Sequence, residues 1–173
     1  CTGFTGTLTA YNDLNIHGTS CIFGSGMSTG TSTSSFTLGA GASTTNLTTN
    51  GVTINSELAI YGARLQDNVV CTKSITLYQG TFNTEDFNVT CWRFYSNNTN
   101  VRAIVMGSGT WTITGGGTNN WDIGTITNLS FHPNTSTIKF IGSDAVNFNG
   151  GGLTYYNLWV AKNIGTNFNI KGS

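Results

Sequence analysis

The sequence predicts an all-β protein, and within that class a parallel β-solenoid whose coils each carry three short strands. The first observation is that apolar residues come in runs of three to five, separated by Gly, Asn, Ser and Thr. Most runs alternate apolar and polar residues, which is the period of a strand. None has the i, i+3, i+4, i+7 spacing of an amphipathic helix.

The second observation is an interval that repeats in the stretch 82–160. Ile104 and Leu129 are 25 positions apart, and Leu129 and Leu158 are 29 apart. A self-similar interval of this size is typical of a solenoid, in which each coil buries its apolar face by stacking on its neighbours; we expect about 27 residues per coil. An antiparallel β-sandwich or jelly roll, which also uses regularly spaced short strands, remains the alternative. A second series interleaves with the first: Val89, Ile113 and Phe140.

The third observation is the composition. Thr, Gly, Asn and Ser make up just over half of the 173 residues, and charged residues only 8%, against about a quarter in an average domain. Thr and Asn tolerate stacking in rows along a solenoid, and Gly and Asn suit its tight corners. The net charge is zero and the basic residues are scattered, which argues against nucleic acid as a partner. No apolar run approaches the length of a membrane span, so we expect no membrane insertion.

The chain divides into a less regular part, residues 1–45, and a repetitive solenoid, residues 46–173. The first part has candidate strands around Leu8, Leu14–Ile16 and Phe36–Leu38, with a low-complexity loop at 25–35. We expect a single β-rich segment of a longer protein, because the chain begins at Cys1 and its last residues fall in a further candidate strand. In the second part the predicted strands are centred on Leu47, 52–54, 58–60, 69–71, 75–78, 87–89, 103–106, 111–113, 126–129, 138–141 and 158–160.

The interior of the predicted column is formed by the apolar members of these runs. Fully burying one such side chain stabilises a fold by roughly 1.5–3 kcal/mol. The side chains that we expect to be buried are Ile104, Trp111, Ile113, Leu129, Ile138, Phe140 and Leu158.

Three segments carry a resemblance to a known class of protein. They are NNTNVRAIVMGSGTWTITG at 97–115, NLSFHPNTSTIKF at 128–140 and FNGGGLTYYNLWV at 148–160. They resemble repeats in β-rich structural proteins of tailed phages, particularly marine ones, of the tail-fibre or virion-surface type. The resemblance covers residues 77–160, about half of the chain. It implies a structural role on a virion or cell surface, and it carries no catalytic residues.

The candidate groups for catalysis are few and scattered. Hydrolysis of a polysaccharide needs two carboxylates placed across one bond. Glu85 and Asp86 are adjacent, so on a strand they would face opposite ways, and Asp86, Asp122 and Asp144 do not share one spacing. His17 and His132 are also far apart in sequence. We therefore expect no enzymatic activity, no cofactor and no metal site.

The four cysteines form two equally spaced pairs. Cys1 and Cys21 are 20 residues apart, as are Cys71 and Cys91. Disulfides Cys1–Cys21 and Cys71–Cys91 would suit an extracellular protein. The alternative is that these are small apolar residues of the core.

Two binding functions deserve comparison with a purely structural one. Tyr155, Tyr156 and Trp159 are candidates for a glycan platform, since aromatic faces stack on sugar rings, and adjacent tyrosines on a strand point to opposite faces. Thr-x-Thr pairs such as Thr110 and Thr112 suggest an ice-binding surface, but they lack one constant spacing.

The sequence therefore predicts a structural component of a phage virion appendage or surface. Its location would be the virion or the extracellular surface. Its partners would be further copies of itself, as a trimer or a filament, or other virion proteins. A carbohydrate-binding adhesin and an ice-binding solenoid are the alternatives.

Overall fold

The computed structural model describes residues 6–8, 12–30, 34–41, 43–161 and 167–171. All regular secondary structure in these residues is β-strand, in elements of two to six residues. In chain order the strands are β1 (Thr7–Leu8), β2 (Leu14–Ile16), β3 (Ser20–Ile22), β4 (Ser28–Thr29), β5 (Ser35–Leu38), β6 (Thr45–Thr48), β7 (Glu57–Ile60), β8 (Ala63–Leu65), β9 (Val69–Val70), β10 (Ser74–Leu77), β11 (Gly80–Asn83), β12 (Val89–Cys91), β13 (Arg93–Tyr95), β14 (Arg102–Val105), β15 (Thr110–Ile113), β16 (Gly117–Asp122), β17 (Leu129–His132), β18 (Thr137–Phe140), β19 (Val146–Asn149), β20 (Asn157–Val160) and β21 (Phe168–Lys171).

These strands build three long parallel sheets around one core. The eight-stranded sheet has the order β2-β5-β7-β10-β13-β16-β19-β21, the six-stranded sheet β17-β14-β11-β8-β6-β3, and the five-stranded sheet β20-β18-β15-β12-β9. A separate parallel pair joins β1 and β4. From β7 to β18 each coil contributes one strand to each of the three sheets in turn. Every pairing between the described strands is parallel, so the fold is the predicted β-solenoid and not an antiparallel sandwich or jelly roll.

The coil length varies more than the sequence predicts. The column has about 7 turns spaced roughly 22 residues apart, instead of 27. Ile113 does lie opposite Phe140, 27 residues on, but Leu58 lies opposite Ile75, only 17 on. Leu129 and Leu158, which the repeat analysis placed in one series, belong to different sheets. Most strands stay aligned from coil to coil, with one irregularity between Gly117 and Trp121 where β16 pairs with β19. The corners absorb most of the difference in coil length.

Polar side chains at the corners hold one coil to the next. Asn68 Oδ1 accepts a hydrogen bond from the backbone N–H of Asn88 at 2.8 Å, and Asn88 Oδ1 accepts one from the N–H of Thr110 at 2.8 Å. Asp67 and Asp86 do the same for the N–H groups of Thr49 and Ser108. Each bond gives a protein partner to a backbone N–H in a corner or at the start of a strand. This role accounts for the Asn and Asp residues at these corners.

The interior is a continuous apolar column, and aromatic rings cluster in its C-terminal half. Trp111 packs edge-on against Phe82, Phe94 and Trp121, with ring centroids 5.0–5.5 Å apart. Trp121 stacks in turn on Phe148 at 6.4 Å. Of the seven core residues predicted from the sequence, five are fully buried: Ile104, Trp111, Ile113, Ile138 and Phe140.

The other two predicted core residues lie elsewhere. Leu129 is only partly buried, because it starts β17, the edge strand of the six-stranded sheet. Leu158 is 39% exposed, so its predicted burial is wrong. It pairs with Ile138 on one side, but β20 is the edge strand of the five-stranded sheet and no described strand covers its other side.

Not every predicted run is a strand. Residues 126–128 lie in the corner before β17, with Asn128 at φ 57°, and of residues 52–54 only Ile54 forms an isolated bridge, to Cys71. Within the less regular part of the chain, β2 and β3 pair in register with β5 and β6, and β4 lies in the predicted loop at 25–35. None of the described residues forms a helix long and apolar enough to cross a membrane.

Candidate functional site

The outer surface of the five-stranded sheet, here called the five-stranded face, presents two rows of side chains. Register places them opposite one another from coil to coil because the strands pair without a shift. The inner strands β12, β15 and β18 bury one row of residues and turn the alternate row outward. The first outward row is Val70, Thr90, Thr112, Lys139 and Trp159, and the second is Asn68, Asn88, Thr110, Thr137 and Asn157.

This face is almost uncharged and carries apolar side chains at its margins. Lys139 is the charged residue in the two rows. Its Nζ lies 4.3 Å from the ring centroid of Trp159 in a cation–π contact. Trp159 is 55% exposed, and Val70, Trp92 and Ile141 are also exposed at or beside the rows. A regular, weakly charged surface of this kind is suited to packing against another protein surface.

The threonines on this face do not form one uninterrupted array. Thr90 and Thr112 are neighbours in the first row, and Thr110 and Thr137 are neighbours in the second. Lys139 and Trp159 continue the first row and Asn157 continues the second. In each row, threonine therefore occupies only two consecutive coils.

The tyrosines of the proposed glycan platform point in opposite directions. The hydroxyl of Tyr155 donates to the carbonyl oxygen of Gly150 at 3.0 Å and accepts from Trp121 Nε1 at 3.2 Å. Its ring packs against Phe148 and Phe131, and burial raises the pKa of its hydroxyl well above the ordinary value. Tyr156 is 61% exposed. The exposed aromatic groups of this segment are thus Tyr156 and Trp159, and Tyr155 belongs to the interior.

The described cysteines are free thiols. Cys71 follows β9 and Cys91 ends β12, and because Val70 lies opposite Thr90 the two cysteines occupy corresponding positions in adjacent coils. The thiol of Cys71 donates instead to the carbonyl oxygen of Ser56 at 3.3 Å. Burial raises the pKa of Cys71 and Cys21 to about 11, and that of Cys91 well above the ordinary value. Cys1, the predicted partner of Cys21, lies outside the described residues.

The carboxylates are engaged in separate local contacts. Glu85 pairs with Arg64 at 2.5 Å, Glu57 accepts from Thr76 Oγ1 at 2.6 Å, and Asp122 accepts from Asn149 Nδ2 at 3.0 Å. His132 Nε2 lies 2.9 Å from Ser130 Oγ. In the part of the chain that the structure describes, no three His, Cys, Asp or Glu residues are grouped closely enough to hold a metal ion.

A groove that the sequence analysis missed lies on the outer surface of the eight-stranded sheet. Its volume is about 450 Å³. It spans β2, β5, β7 and the end of β10, and its lining includes the buried Thr37 and Ala59, the corner residue Ala40, and Tyr61 and Tyr78. The backbone N–H and the hydroxyl of Ser35 both donate to Asp13 Oδ1, and these hydrogen bonds hold the pKa of that carboxyl below its ordinary value. A sequence signal did exist, because apolar strands end in tyrosine at both ELAIYG and SITLYQG.

A scan against protein-family models, a search of curated proteins and a search of solved structures each found no match, so the proposals below depend on the fold and the geometry of these surfaces.

Proposed function

We propose that this chain is a structural solenoid segment of a surface appendage, and that it assembles with copies of itself through the five-stranded face. The proposal rests on the regularity and low charge of that face. Its two rows of side chains are in register, Lys139 is the charged residue in them, and Trp159 lies beside Lys139. Packing such a surface against a second copy removes apolar area from water and desolvates few charges.

The proposal that the appendage belongs to a phage virion depends on a different observation, the sequence resemblance. The segments 97–115, 128–140 and 148–160 resemble repeats of tail-fibre and virion-surface proteins. Long rigid columns that associate side by side are what such appendages require. We place the chain on a virion or extracellular surface for this reason, with other virion proteins as further partners.

Sedimentation velocity of the purified chain over a range of micromolar concentrations tests the assembly. We expect concentration-dependent association. A closed trimer would give one discrete mass, whereas a head-to-tail contact would keep growing into filaments. A monomer at every concentration would refute the proposal.

A matched pair of variants tests which face is used. Thr112 points outward from β15, the middle strand of the five-stranded sheet, and Thr81 from β11, an inner strand of the six-stranded sheet. Thr112→Lys should weaken association because it places a second cation in the interface. Thr81→Lys adds the same charge on another face and should leave association unchanged. Equal effects of the two variants would show that the five-stranded face is not the contact.

The absence of catalysis is part of the same proposal. The carboxylates Glu57, Glu85 and Asp122 each have a local hydrogen-bond or ion-pair partner, which supports a structural role for them. Incubation with bacterial surface polysaccharides should release no new reducing ends. Their release would make the chain an enzyme.

A further inference from the structure

A cavity lies at the corner of the column where the chain passes from the five-stranded to the eight-stranded sheet. Its volume is about 240 Å³, and it is lined by Thr72, Lys73, Ser74 and Trp92. Trp92 connects β12 to β13, and Thr72 and Lys73 occupy the same corner of the preceding coil, just before β10. We call this cavity the Trp92 pocket.

Two adjacent coils turn this corner with different numbers of residues. Cys71 and Cys91 are aligned before the corner, and β10 and β13 are aligned after it. Between these points one coil has Thr72 and Lys73, whereas the next has Trp92 alone. The N–H of Trp92 donates to the carbonyl oxygen of Lys73 at 3.0 Å, so the backbones remain in contact. The side chains of the two corners are therefore out of step, and the pocket lies between them.

A fixed positive charge lies behind the lining of the pocket. Arg93 Nε donates to the hydroxyl oxygen of Ser74 at 2.7 Å. Arg93 Cζ lies 5.6 Å from the ring centroid of Trp92 and 5.9 Å from that of Tyr95, which are cation–π distances. Arg93 thus contacts two of the four lining residues, and these contacts hold its guanidinium in place.

Neighbouring groups determine which hydroxyls of the pocket donate and which accept. Because Arg93 donates to Ser74 Oγ, the buried Ser74 hydroxyl keeps its own proton for a further acceptor. Thr72 Oγ1 donates to Asn55 Oδ1 at 3.2 Å, which leaves the Thr72 oxygen as an acceptor. Lys73 is exposed and adds an ammonium group. The pocket therefore offers donors and positive charge to an anion, and an acceptor to a hydroxyl group.

Among the described residues, no carboxylate lines the Trp92 pocket. Register places Glu57 opposite Ser74 in the preceding coil. Glu57 Oε1 accepts a hydrogen bond from Thr76 Oγ1 at 2.6 Å, and Thr76 lies two positions beyond Ser74 along β10. This bond draws the Glu57 carboxylate away from the corner. The charges at the pocket are therefore those of Lys73 and Arg93.

We propose that the Trp92 pocket binds one uronic acid residue of a polysaccharide. The carboxylate of the sugar lies at Lys73 and the Ser74 hydroxyl, its ring packs against the indole of Trp92, and a ring hydroxyl donates to Thr72 Oγ1. A free inorganic anion would use the donors but neither the indole nor the acceptor. The volume of about 240 Å³ is below the roughly 300–1,000 Å³ of sites for drug-sized ligands, so it suits a single sugar residue.

Saturation-transfer difference NMR tests the proposal with small probes at millimolar concentration. The probes are the methyl glycosides of glucuronic acid, galacturonic acid and glucose, together with acetate and N-acetylglutamate α-amide. At least one uronide should receive saturation, strongest at its ring C–H protons, whereas the glucoside should receive little because it lacks the carboxylate. No saturation of either uronide, or equal saturation of the glucoside, would overturn the proposal.

The two acyclic acids distinguish a sugar from other carriers of a carboxylate. Acetate supplies only the charge, and N-acetylglutamate α-amide represents the acidic side chain of a peptide. Both should receive less saturation than the better uronide, because neither has a pyranose ring to pack against Trp92. Equal saturation of the glutamate derivative would assign the pocket to acidic peptides, and equal saturation of acetate would reduce it to a nonspecific carboxylate contact.

A matched pair of lysine variants locates the site. Lys73→Gln removes the ammonium group and should weaken uronide binding by about tenfold, the effect of one charged hydrogen bond. Lys139→Gln is the control, because Lys139 also lies beside a tryptophan, with its Nζ 4.3 Å from the ring centroid of Trp159. It should leave the affinity unchanged. Unchanged binding in Lys73→Gln would overturn the proposal, and loss in Lys139→Gln alone would move the site to the five-stranded face.

Two further measurements separate binding from folding and from assembly. Trp92→Ala removes the indole and should also lose uronide binding, with circular dichroism to verify its fold. If Trp92→Ala is unfolded, Lys73→Gln still decides, because its side chain is exposed. The proposal does not depend on self-association, so Lys73→Gln should sediment like the original chain while it loses the uronide.

Discussion

The guanidinium of Arg102 donates a hydrogen bond to the carbonyl oxygen of Thr127 at 3.0 Å, inside the column and 25 residues away in sequence. The same group donates to the carbonyl oxygens of Asn100, Ser96 and Thr125 and to the hydroxyl of Ser96. Arg102 is 2% exposed. One side chain therefore satisfies the backbone of two successive corners, and backbone oxygens and a hydroxyl take the place of a counter-ion.

Replacing Arg102 should be strongly destabilising. Arg102→Met removes every donor and leaves several buried carbonyl oxygens without partners, which should lower the free energy of unfolding by about 3 kcal/mol or more. Urea denaturation followed by circular dichroism measures the change. Arg64→Met is the control, because Arg64 pairs with Glu85 at the surface and exposed pairs contribute only about 0–1 kcal/mol. Similar losses in the two variants would contradict the structural role of Arg102.

Two glycines with the same backbone conformation should respond differently to alanine. Gly107 has φ +62°, and a Cβ there would fall 1.2 Å from the carbonyl oxygen of Glu85 in the preceding coil. Gly51 has φ +79° but nothing within 4 Å. Gly51→Ala should cost about 1 kcal/mol for backbone strain alone, whereas Gly107→Ala must also push two coils apart. Thermal unfolding should show the larger loss in Gly107→Ala, and equal losses would mean that the coils are not in close contact there.

A pair of aspartate substitutions tests which side chains face the core. Ile113 is fully buried on β15, and Leu158 is partly exposed on β20. Ile113→Asp places an unpaired charge in a closed apolar column and should prevent folding. Leu158→Asp keeps its charge in contact with water and should fold. Soluble expression and circular dichroism distinguish the two, and a normally folded Ile113→Asp would refute the assignment of inward and outward residues.

The buried thiols should make the fold weaker in alkali. The pKa of Cys71 rises from 9.0 to about 11 on folding because burial disfavours the thiolate. Below pH 9 the thiol is protonated in both states and stability is unaffected. Between about pH 9 and 11 only the unfolded chain releases the proton, so stability should fall by up to roughly 2–3 kcal/mol. Cys71→Ala should flatten this decline relative to the original chain, as measured by urea denaturation across the pH range.

Alkylation of the unreduced chain distinguishes free thiols from a disulfide. Because Cys71 and Cys91 are buried free thiols, both should react with an alkylating reagent only after unfolding. A bridged pair would remain unlabelled even then. The pH dependence expected for Cys71 would also be absent in a bridged protein.

The column could be predicted from the sequence because its apolar residues are placed by register. Ile113 and Phe140 face the core in neighbouring coils, and their spacing was visible in the sequence. The spacing of Ile113 and Phe140 does not give the length of the other coils, because corners of different length connect strands that remain aligned. The exposure of Leu158 could not be predicted from a periodic pattern either, because it depends on whether another strand covers β20.

The candidate sites were harder to predict because they depend on relations between coils. Tyr155 and Tyr156 drew attention as an adjacent pair, yet the hydroxyl contacts of Tyr155 place it inside. Tyr61 and Tyr78 are 17 residues apart and stack because the pairing of Ile60 with Leu77 aligns them in adjacent coils.

The parallel stacking of the coils also determines how the column would respond to mechanical force. The hydrogen bonds between strands run along the long axis, so tension along that axis pulls directly on the contacts between one coil and the next. A pulled column should therefore lengthen in steps, each releasing one coil. A coil of average length, roughly 22 residues, gives an added extension of about 70 Å when it straightens. Because the coils differ in length, the sizes of successive steps would report the order in which they detach.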